Sequence, residues 1–482
     1  MIDTNKKLFR WGPIDAAPLP LAYTMVPSFD MMYDLFGICW PESLVIYDKD
    51  KAVWIIENDK VIETSREFTD KIIIPDEQRK RFNHIWDQAV SKLFEVQDKI
   101  DKTNLSSIND KELAKIFKEW SQVYLNFWAV GMTGEFPNYA LEEKLKTMLK
   151  GYFDDERDLN EAFATLATPT QMSFYKEEES DLMSIVLLKD QERDEALKEH
   201  VRNYFWIYNN YLESKILDKG YFAEQIKHTT PEDAEEFLKA VKEYKETVNQ
   251  DKENLINKLT LSKEQVKIIN LLDECIIFQD VRKSYNLKAD HYLEEFLKEF
   301  GKRRNVSVRD LKWLLPGEIE KLADGEDMKN LIEKRKHITT ALCDIGSLQI
   351  NVQNAASKIN QQFEKQEFEK SVNLQGTVAC TSKNRYFRGI AKIVLSPKDG
   401  DKLKEGEILV TTMTTPDYVI HMKRAGAIIT DVGGVTCHAA VVSREFGIPC
   451  IVGTEYATKV IKDGDILELH NLRGTVKIVS SK

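Results

Sequence analysis

The sequence predicts a multidomain protein in which a large, mostly α-helical N-terminal region with a small antiparallel β element precedes a compact α/β domain. A chain of 482 residues exceeds what one hydrophobic core usually serves. Apolar residues recur at three- and four-residue steps through much of the first 370 residues, which is typical of packed helices. Eleven of the 21 glycines lie from residue 371 onward, whereas all eight tryptophans lie before it. We therefore expect three parts: a small α+β element at 1–80, a helical domain at 81–370 and an α/β domain at 371–482.

Short apolar runs near the N-terminus predict the β element. They cover residues 43–47, 52–56 and 61–62, and Asp, Lys and Asn residues separate them. Runs of this length between turn-forming residues are typical of neighbouring antiparallel strands.

The region 81–370 carries several amphipathic helical patterns. The clearest is a stripe of apolar residues at helical spacing, and a second long pattern covers residues 328–359. The stripe must pack against other helices, so we expect an all-α domain of eight or more helices. Residues 364–375 are polar and predict a tether or hinge. The members of the stripe are Leu113, Ile116, Phe117, Trp120, Val123, Tyr124 and Phe127.

The last 112 residues alternate short strand and helix patterns, as in a small α/β domain. The predicted strands lie near residues 390–394, 407–411, 426–430, 450–452, 465–469 and 475–479.

One histidine in this domain has a setting suited to phosphoryl chemistry. The strand at 426–430 leads to Gly433 and Gly434, which allow close backbone approach, and Thr436 can cap the following helix and donate to phosphoryl oxygens. His438 then falls in the first helical turn, where free N–H groups and the helix dipole favour an anion. The alternative is a surface histidine at a strand-to-helix turn.

The wider motif carries a family resemblance. Residues 433–440, Gly-Gly-Val-Thr-Cys-His-Ala-Ala, are followed by Arg444-Glu445-Phe-Gly447-Ile-Pro449 and resemble the phosphohistidine signature of the phosphoenolpyruvate-utilising enzymes. That family includes phosphoenolpyruvate synthase, pyruvate phosphate dikinase and rifampicin phosphotransferase. Further segments of the family's swivelling domain occur in the same order, at residues 413–417, 426–431, 457–458, 463–465 and 474–478.

The resemblance implies a swivelling domain that carries a phosphoryl group on His438. Gly433, Gly434, Thr436, Cys437 and Arg444 are then the residues expected to bind or support that group. We interpret Cys437 as a small polar neighbour and Arg444 as either a structural ion pair or a phosphate ligand. No metal-ligand set is predicted.

A second, more diffuse resemblance lies in the helical region. Residues 280–283, 292–296, 308–311 and 315–319 are similar to the helical segment that precedes the swivelling domain in the phosphoenolpyruvate synthase and rifampicin phosphotransferase group. This implies that the helical domain binds the acceptor or docks a partner. His84, His200, His291 and His337 are open alternatives for a general base. The aromatic cluster at 204–208 is more typical of core packing than of a ligand pocket.

Full-length relatives also contain an ATP-grasp domain, whose glycine-rich phosphate-covering loop is not evident before residue 371. We therefore expect a phosphotransferase component that is incomplete without a separate ATP-grasp partner. Under this hypothesis ATP and Mg²⁺ bind to the partner, and no cofactor is expected to bind this chain directly. His438 then passes the phosphoryl group to pyruvate or a small organic hydroxyl compound. The alternatives are a phosphorelay or regulatory module whose helical region docks a protein, and a structural protein that retains the domain without phosphorylation.

Net charge and the number and spacing of cysteines limit the partners and the cellular compartment that we expect. A formal net charge of −11 argues against nucleic-acid or anionic-membrane partners. The six cysteines form no CxxC pairs, and neither a secretory signal nor an apolar run of membrane-spanning length is evident. We expect a cytoplasmic protein.

Overall fold

The computed structural model describes residues 2–364, 373–381 and 386–480. The chain forms two compact units. One comprises Met1–Ala140, Asn210–Ser214 and Lys288–Glu367, and the other comprises Leu141–Asn209, Lys215–Leu287 and Phe368–Lys482. Both units draw on the predicted helical region 81–370, so the three-part division stays a prediction. Most of the predicted tether, 364–375, lies outside the described residues.

The first unit contains an antiparallel sheet. Within the described residues its strand order is Leu8–Asp15, Lys51–Glu57, Ser43–Asp48, Ile338–Asp344 and Ser347–Val352. The predicted strands at 43–47 and 52–56 are confirmed. Two expectations are wrong: residues 61–62 lie in the helix Asn58–Phe68, and the pattern at 328–359 contains two strands. Strand Ile338–Asp344 pairs with Ser43–Asp48, so a partner nearly 300 residues away decides its conformation.

The helices of the first unit pack through the predicted apolar stripe. Leu113, Phe117, Trp120, Tyr124 and Phe127 are fully buried on the helix Asp110–Gly131. Its first turn is capped by Asn109, whose side chain accepts from the Glu112 N–H at 3.0 Å. The remaining helices are Pro18–Met25, Asp30–Phe36, Asn58–Phe68, Asp76–Asp101, Val308–Leu311, Pro316–Ala323, Lys329–Arg335 and Gln353–Glu364.

The second unit joins helices to the C-terminal α/β part. Helices Glu135–Leu149 and Lys263–Arg304 contribute residues to both units, and the others before residue 373 are Glu156–Ala167, Phe174–Val186, Asp190–Tyr204, Lys219–Gln225 and Pro231–Leu259. The α/β part adds the helices Val419–Met422, His438–Phe446 and Ala457–Val460.

A mixed sheet forms the centre of the α/β part. In the described residues its order is Asn373–Gln375, Thr475–Ser480, Ile466–His470, Tyr386–Ile393, Ile408–Thr411, Ala427–Thr430, Cys450–Val452 and Thr377–Cys380. The strands Tyr386–Ile393 through Cys450–Val452 are parallel. All six predicted strands are confirmed, and the fold class predicted for the chain is confirmed with them.

One apolar core in the second unit is shared by its helical and α/β parts. It combines Phe174, Trp206 and Phe222 of the helical part with Ile428 and Ala440 of the α/β part, among other residues. Trp206 and Ile207 lie in this core, which confirms the prediction that the aromatic cluster at 204–208 serves core packing. Side chains from the two parts exclude water together, which holds the start of helix His438–Phe446 against helical residues.

Candidate functional site

Two loops meet at one edge of the C-terminal sheet. Strands Ile408–Thr411 and Ala427–Thr430 are adjacent and parallel, so the loops that follow them leave from the same edge. The first loop carries Thr414, and the second carries the glycine turn at 433–436. Backbone bonds tie the loops together, since the Val432 N–H donates to the Thr412 carbonyl at 2.9 Å. This edge therefore places Thr414 beside the start of the next helix.

The turn at 433–436 requires glycine at position 433. Gly433 has a φ of +121°, a conformation that L side chains rarely adopt, and a Cβ there would lie 2.7 Å from the Cys437 sulfur. The helix His438–Phe446 begins directly after the turn, as predicted, and ends at Gly447 with a φ of +66°. The capping prediction for Thr436 is wrong: the N-cap position is Cys437, which makes no side-chain capping bond.

The His438 imidazole is held by one nitrogen. Its Nδ1 lies 2.8 Å from the hydroxyl oxygen of Thr414, a buried residue. Its Nε2 is buried and has no hydrogen-bond partner among the described residues. The Tyr175 ring packs edge-on against the imidazole, with centroids 6.1 Å apart. If Nδ1–H donates to Thr414, the Nε2 lone pair is available to a reacting group.

An acidic side chain occupies the glycine turn. The Glu142 carboxylate accepts hydrogen bonds from the Thr436 N–H at 3.1 Å and from the Thr436 hydroxyl. A Cβ on Gly434 would lie 2.6 Å from one Glu142 carboxylate oxygen, so the absence of a side chain there permits this approach. Glu142 lies on the helix Glu135–Leu149, far from the motif in sequence.

Two further predicted site residues, Cys437 and Arg444, have surroundings that the structure describes. Burial raises the pKa of the Cys437 thiol, which disfavours a thiolate and agrees with its interpretation as a small neighbour. Arg444 lies in the last turn of the helix, roughly 9 Å along its axis from His438 at the usual rise per residue. Its guanidinium donates to the Ala379 carbonyl at 3.1 Å. The structure gives Arg444 a structural contact, and its phosphate-binding role stays a prediction.

A cavity of about 250 Å³ opens beside His438. The α/β part contributes Thr436, His438, Val441 and Val442 to its lining. The helical part contributes residues of the segment before helix Phe174–Val186 and of helix Lys263–Arg304, including Gln171, Ser173, Ile276, Gln279, Asp280 and Lys283. The cavity is thus bounded by the predicted phosphoryl carrier and by the predicted acceptor region.

Burial controls the ionisation of this site. Burial, reinforced by the positive charge of Lys283, lowers the pKa of His438 well below its ordinary value, so its ring is neutral at pH 7. Burial also raises the pKa of Asp280 to about 7, although its carboxylate accepts from the Phe174 N–H at 2.8 Å. The cavity therefore holds a neutral imidazole and a carboxyl group that can gain or lose a proton near neutral pH.

Several site residues were not predicted from the sequence. Thr414 belongs to a quoted motif, residues 413–417, and could have been found from its place after a parallel strand. Asp280 and Lys283 belong to the diffuse helical resemblance, but nothing in their spacing assigned a role. Glu142 lies in an ordinary amphipathic helix and gave no signal.

The predicted general-base histidines do not line the described cavity. His200 is buried and lies 3.0 Å from Glu178, while His84, His291 and His337 belong to the first unit. Neither the residues at this site nor the rest of the described chain includes three or more His, Cys, Asp or Glu side chains grouped to hold a metal ion. Across residues 2–364, 373–381 and 386–480, no helix combines the length and apolar composition of a membrane span.

The α/β part thus presents a half-buried, neutral histidine at a helix start, beside a glycine turn and a cavity. Residues 403–474 match the family model described as the mobile domain of PEP-utilising enzymes. The similarity to PEP-utilising enzymes shown by this match is confined to the C-terminal α/β part of the chain.

The relatives with curated names include phosphoenolpyruvate synthases. The probable phosphoenolpyruvate synthase of Archaeoglobus fulgidus is 41% identical over 163 residues, which cover 33% of this chain and 22% of that protein. That match is longer than the chain from residue 371 to its end, so it includes some of the helical region. The phosphoenolpyruvate synthase of Pyrococcus furiosus is 56% identical over 88 residues, or 18% of this chain and 11% of that protein. The matches span less than a quarter of either relative.

Proposed function

We propose that this protein is a phosphotransferase component that carries a phosphoryl group on Nε2 of His438. The observation that carries the proposal is the orientation of the ring: Thr414 engages Nδ1, while Nε2 is buried without a partner. The match of residues 403–474 to the mobile domain of PEP-utilising enzymes supports it. A buried polar atom without a partner is costly, so its retention favours a chemical role.

In the uptake step, the Nε2 lone pair attacks the phosphorus of the donor. The phosphorus–nitrogen bond forms as the bond to the donor's leaving oxygen breaks, and the electron pair departs with the donor product. Nδ1–H keeps its proton through the bond to Thr414, which stabilises the positive charge that develops on the ring. A neutral imidazole needs no separate base for this step, and the low pKa of His438 keeps it neutral.

In the delivery step, an acceptor oxygen attacks the same phosphorus and Nε2 recovers its lone pair. Asp280 lines the cavity, and with a pKa of about 7 it can take the proton of an acceptor hydroxyl group. A cavity of about 250 Å³ is smaller than the pockets that usually hold drug-sized ligands, roughly 300–1,000 Å³. We infer that the acceptor is pyruvate or a small organic hydroxyl compound.

The donor we propose is ATP, held with Mg²⁺ by an ATP-grasp protein or domain outside these 482 residues. The names of the relatives support this class of chemistry, because phosphoenolpyruvate synthases transfer phosphoryl groups. The cavity beside His438 favours a small acceptor over the alternative of a phosphorelay module with a docked protein, since a docking surface requires no cavity at the histidine.

The testing experiment is transfer of label from ATP, marked separately at its β and γ phosphates, to the full chain in cognate cell extract. We expect acid-labile label on the wild type and none on His438→Ala. His228→Ala is the matched control, because His228 is an exposed histidine of the same unit. The phosphate retained separates a dikinase route from a simple kinase route. No label on the wild type, in an extract that labels a known family member, contradicts the proposal.

A further inference from the structure

We propose that the carboxylate of Glu142 occupies the phosphoryl-oxygen site of the glycine turn and leaves it when His438 is phosphorylated. This inference rests on the proposed function and adds a residue that controls entry of the phosphoryl group. Glu142 is thus a positioning residue, which acts on the site without touching the reacting nitrogen.

The contacts show what the turn is built to hold. The N–H and the hydroxyl of Thr436 both donate to one carboxylate oxygen of Glu142, and the Val435 backbone adds a further hydrogen bond to the carboxylate. These donors converge just before the first turn of helix His438–Phe446, where the helix dipole also favours negative charge. The structure therefore shows a carboxyl group in this position.

The Glu142 carboxylate fills the Gly434 side of the turn. The carboxylate lies against the Gly434 backbone, so close that a Cβ there would lie 2.6 and 2.9 Å from its two oxygens. A phosphoryl group on Nε2 of His438, two residues after Thr436, would need the same donors. Two negative groups at hydrogen-bond spacing repel strongly where water is scarce. A phosphoryl group on His438 and the Glu142 carboxylate would therefore compete for the Thr436 donors.

The environment of Glu142 makes its contact with the turn reversible. Burial raises the pKa of its carboxyl group, while the bonds from Thr436 and the charge of Lys146 act in the opposite direction. Lys146 lies one helical turn away, and its ammonium group also packs over the Phe163 ring at 4.7 Å. A buried carboxylate held by a few donors can be displaced by a phosphoryl group, which makes stronger charge-assisted hydrogen bonds to the same donors.

The position of Glu142 in the chain gives the exchange a structural consequence. Glu142 belongs to a helical segment, whereas the glycine turn belongs to the α/β part of the same unit. Displacement of the carboxylate would remove one of the polar contacts between these parts. Phosphorylation of His438 would thereby loosen the α/β part and favour its movement toward an acceptor or a donor.

The test uses the full chain and potassium phosphoramidate, which phosphorylates histidine without an ATP-binding partner. The Nε2 lone pair attacks the phosphorus, the phosphorus–nitrogen bond of the reagent breaks, and ammonia leaves. The variants are Glu142→Gln, which keeps the shape but removes the charge, and Glu142→Ala, which clears the site. Glu143→Gln is the control, because Glu143 is an exposed neighbour on the same helix. The rate is followed by ³¹P NMR, and thermal unfolding of each variant is recorded in parallel.

We expect both Glu142 variants to be phosphorylated on His438 at least about tenfold faster than the wild type, with Glu143→Gln unchanged. A lowered unfolding temperature with an unchanged rate would reduce Glu142 to a structural contact and overturn the inference, while the proposed function would stand. If His438 accepts no phosphoryl group in any variant, the proposed function itself fails and this inference fails with it.

Discussion

At the scale of single residues, the His438 imidazole depends on a neighbour that the family motif around it does not contain. Thr414 lies 24 positions earlier, and its hydroxyl oxygen is 2.8 Å from Nδ1. The bond fixes how the ring is turned, and with the Thr414 hydroxyl as acceptor it keeps the proton on Nδ1. Its loss should affect chemistry more than stability.

We predict that Thr414→Val slows phosphorylation of His438 by about tenfold, because the tautomer with a free Nε2 lone pair is no longer favoured. Thr415→Val is the matched control, since the Thr415 hydroxyl donates to Asp417 at 2.5 Å and does not contact the imidazole. Initial rates with phosphoramidate measure the effect. Equal rates for the two variants would show that the Thr414 bond has no part in the reaction.

Asp280 provides a prediction about pH. Burial raises its pKa from 3.8 to about 7 in the folded protein, so between these values the folded state holds a proton that the unfolded state has lost. The stabilisation from that proton is complete at low pH and is lost as pH rises through about 7. Asp280→Asn cannot titrate, yet its amide oxygen can still accept from the Phe174 N–H.

We expect wild type to lose roughly 2–4 kcal/mol of stability relative to Asp280→Asn between about pH 4 and pH 8. Denaturant unfolding of both proteins across this range measures the difference. A constant difference between the two proteins would mean that Asp280 keeps an ordinary pKa, and its use as a proton acceptor would lose its basis.

At the scale of elements, the helix His438–Phe446 lies between two glycines with positive φ, and the two have different structural roles. Gly433 lies in the turn that packs against Cys437, whereas Gly447 ends the helix with nothing near its hypothetical Cβ. Both positions are strained for an L residue, but steric crowding is confined to Gly433.

We predict that Gly447→Ala costs about 1 kcal/mol of stability and leaves phosphorylation of His438 intact. Gly433→Ala should cost more, because its Cβ would lie 2.7 Å from the Cys437 sulfur, and should also slow phosphorylation by distorting the turn. Thermal unfolding and phosphoramidate kinetics on both variants give the comparison. Similar kinetics for the two variants would show that the shape of the turn is unimportant for the reaction.

At the scale of the molecule, the helical and α/β parts of the second unit are held together by polar contacts as well as by their shared core. The Ser173 N–H and hydroxyl donate to the Glu445 carboxylate, each at 2.7 Å, and Lys423 pairs with Glu179 at 2.7 Å. A surface ion pair such as Lys423–Glu179 contributes little to stability, about 0–1 kcal/mol. Movement of the α/β part away from the helical part would therefore have to break buried contacts such as those between Ser173 and Glu445.

We predict faster amide hydrogen exchange in residues 169–177 and 438–446 after phosphorylation of His438, since the Glu142 contact is then lost. Residues 43–57 of the first unit's sheet serve as the internal control. Exchange is measured by mass spectrometry on wild type and His438→Ala after identical phosphoramidate treatment. Unchanged protection at 438–446 would argue that the α/β part stays in place while it carries the group.

Local signals were strong enough to predict much of the α/β part. Short apolar runs marked its strands. Gly433, Gly434 and His438 marked the turn and the helix start, because local backbone geometry and anion binding favour those residue types. The failures occurred where distant partners decide conformation. Residues 338–352 have a helical pattern but pair as strands with residues 43–48 and with each other.

The sequence by itself determined where the proposed phosphoryl site lies, because His438 and its glycine turn are contiguous and form a local backbone motif. Tertiary structure alone decided which distant groups complete the site: Thr414 through parallel strand pairing, Asp280 and Lys283 through a cavity, and Glu142 through its contact with the glycine turn. Asp280, Lys283 and Glu142 lie far from the glycine turn along the chain, and nothing in their spacing assigns them a role. Only burial and close approach in the folded protein give them their pKa values, their hydrogen bonds and their bearing on phosphoryl transfer.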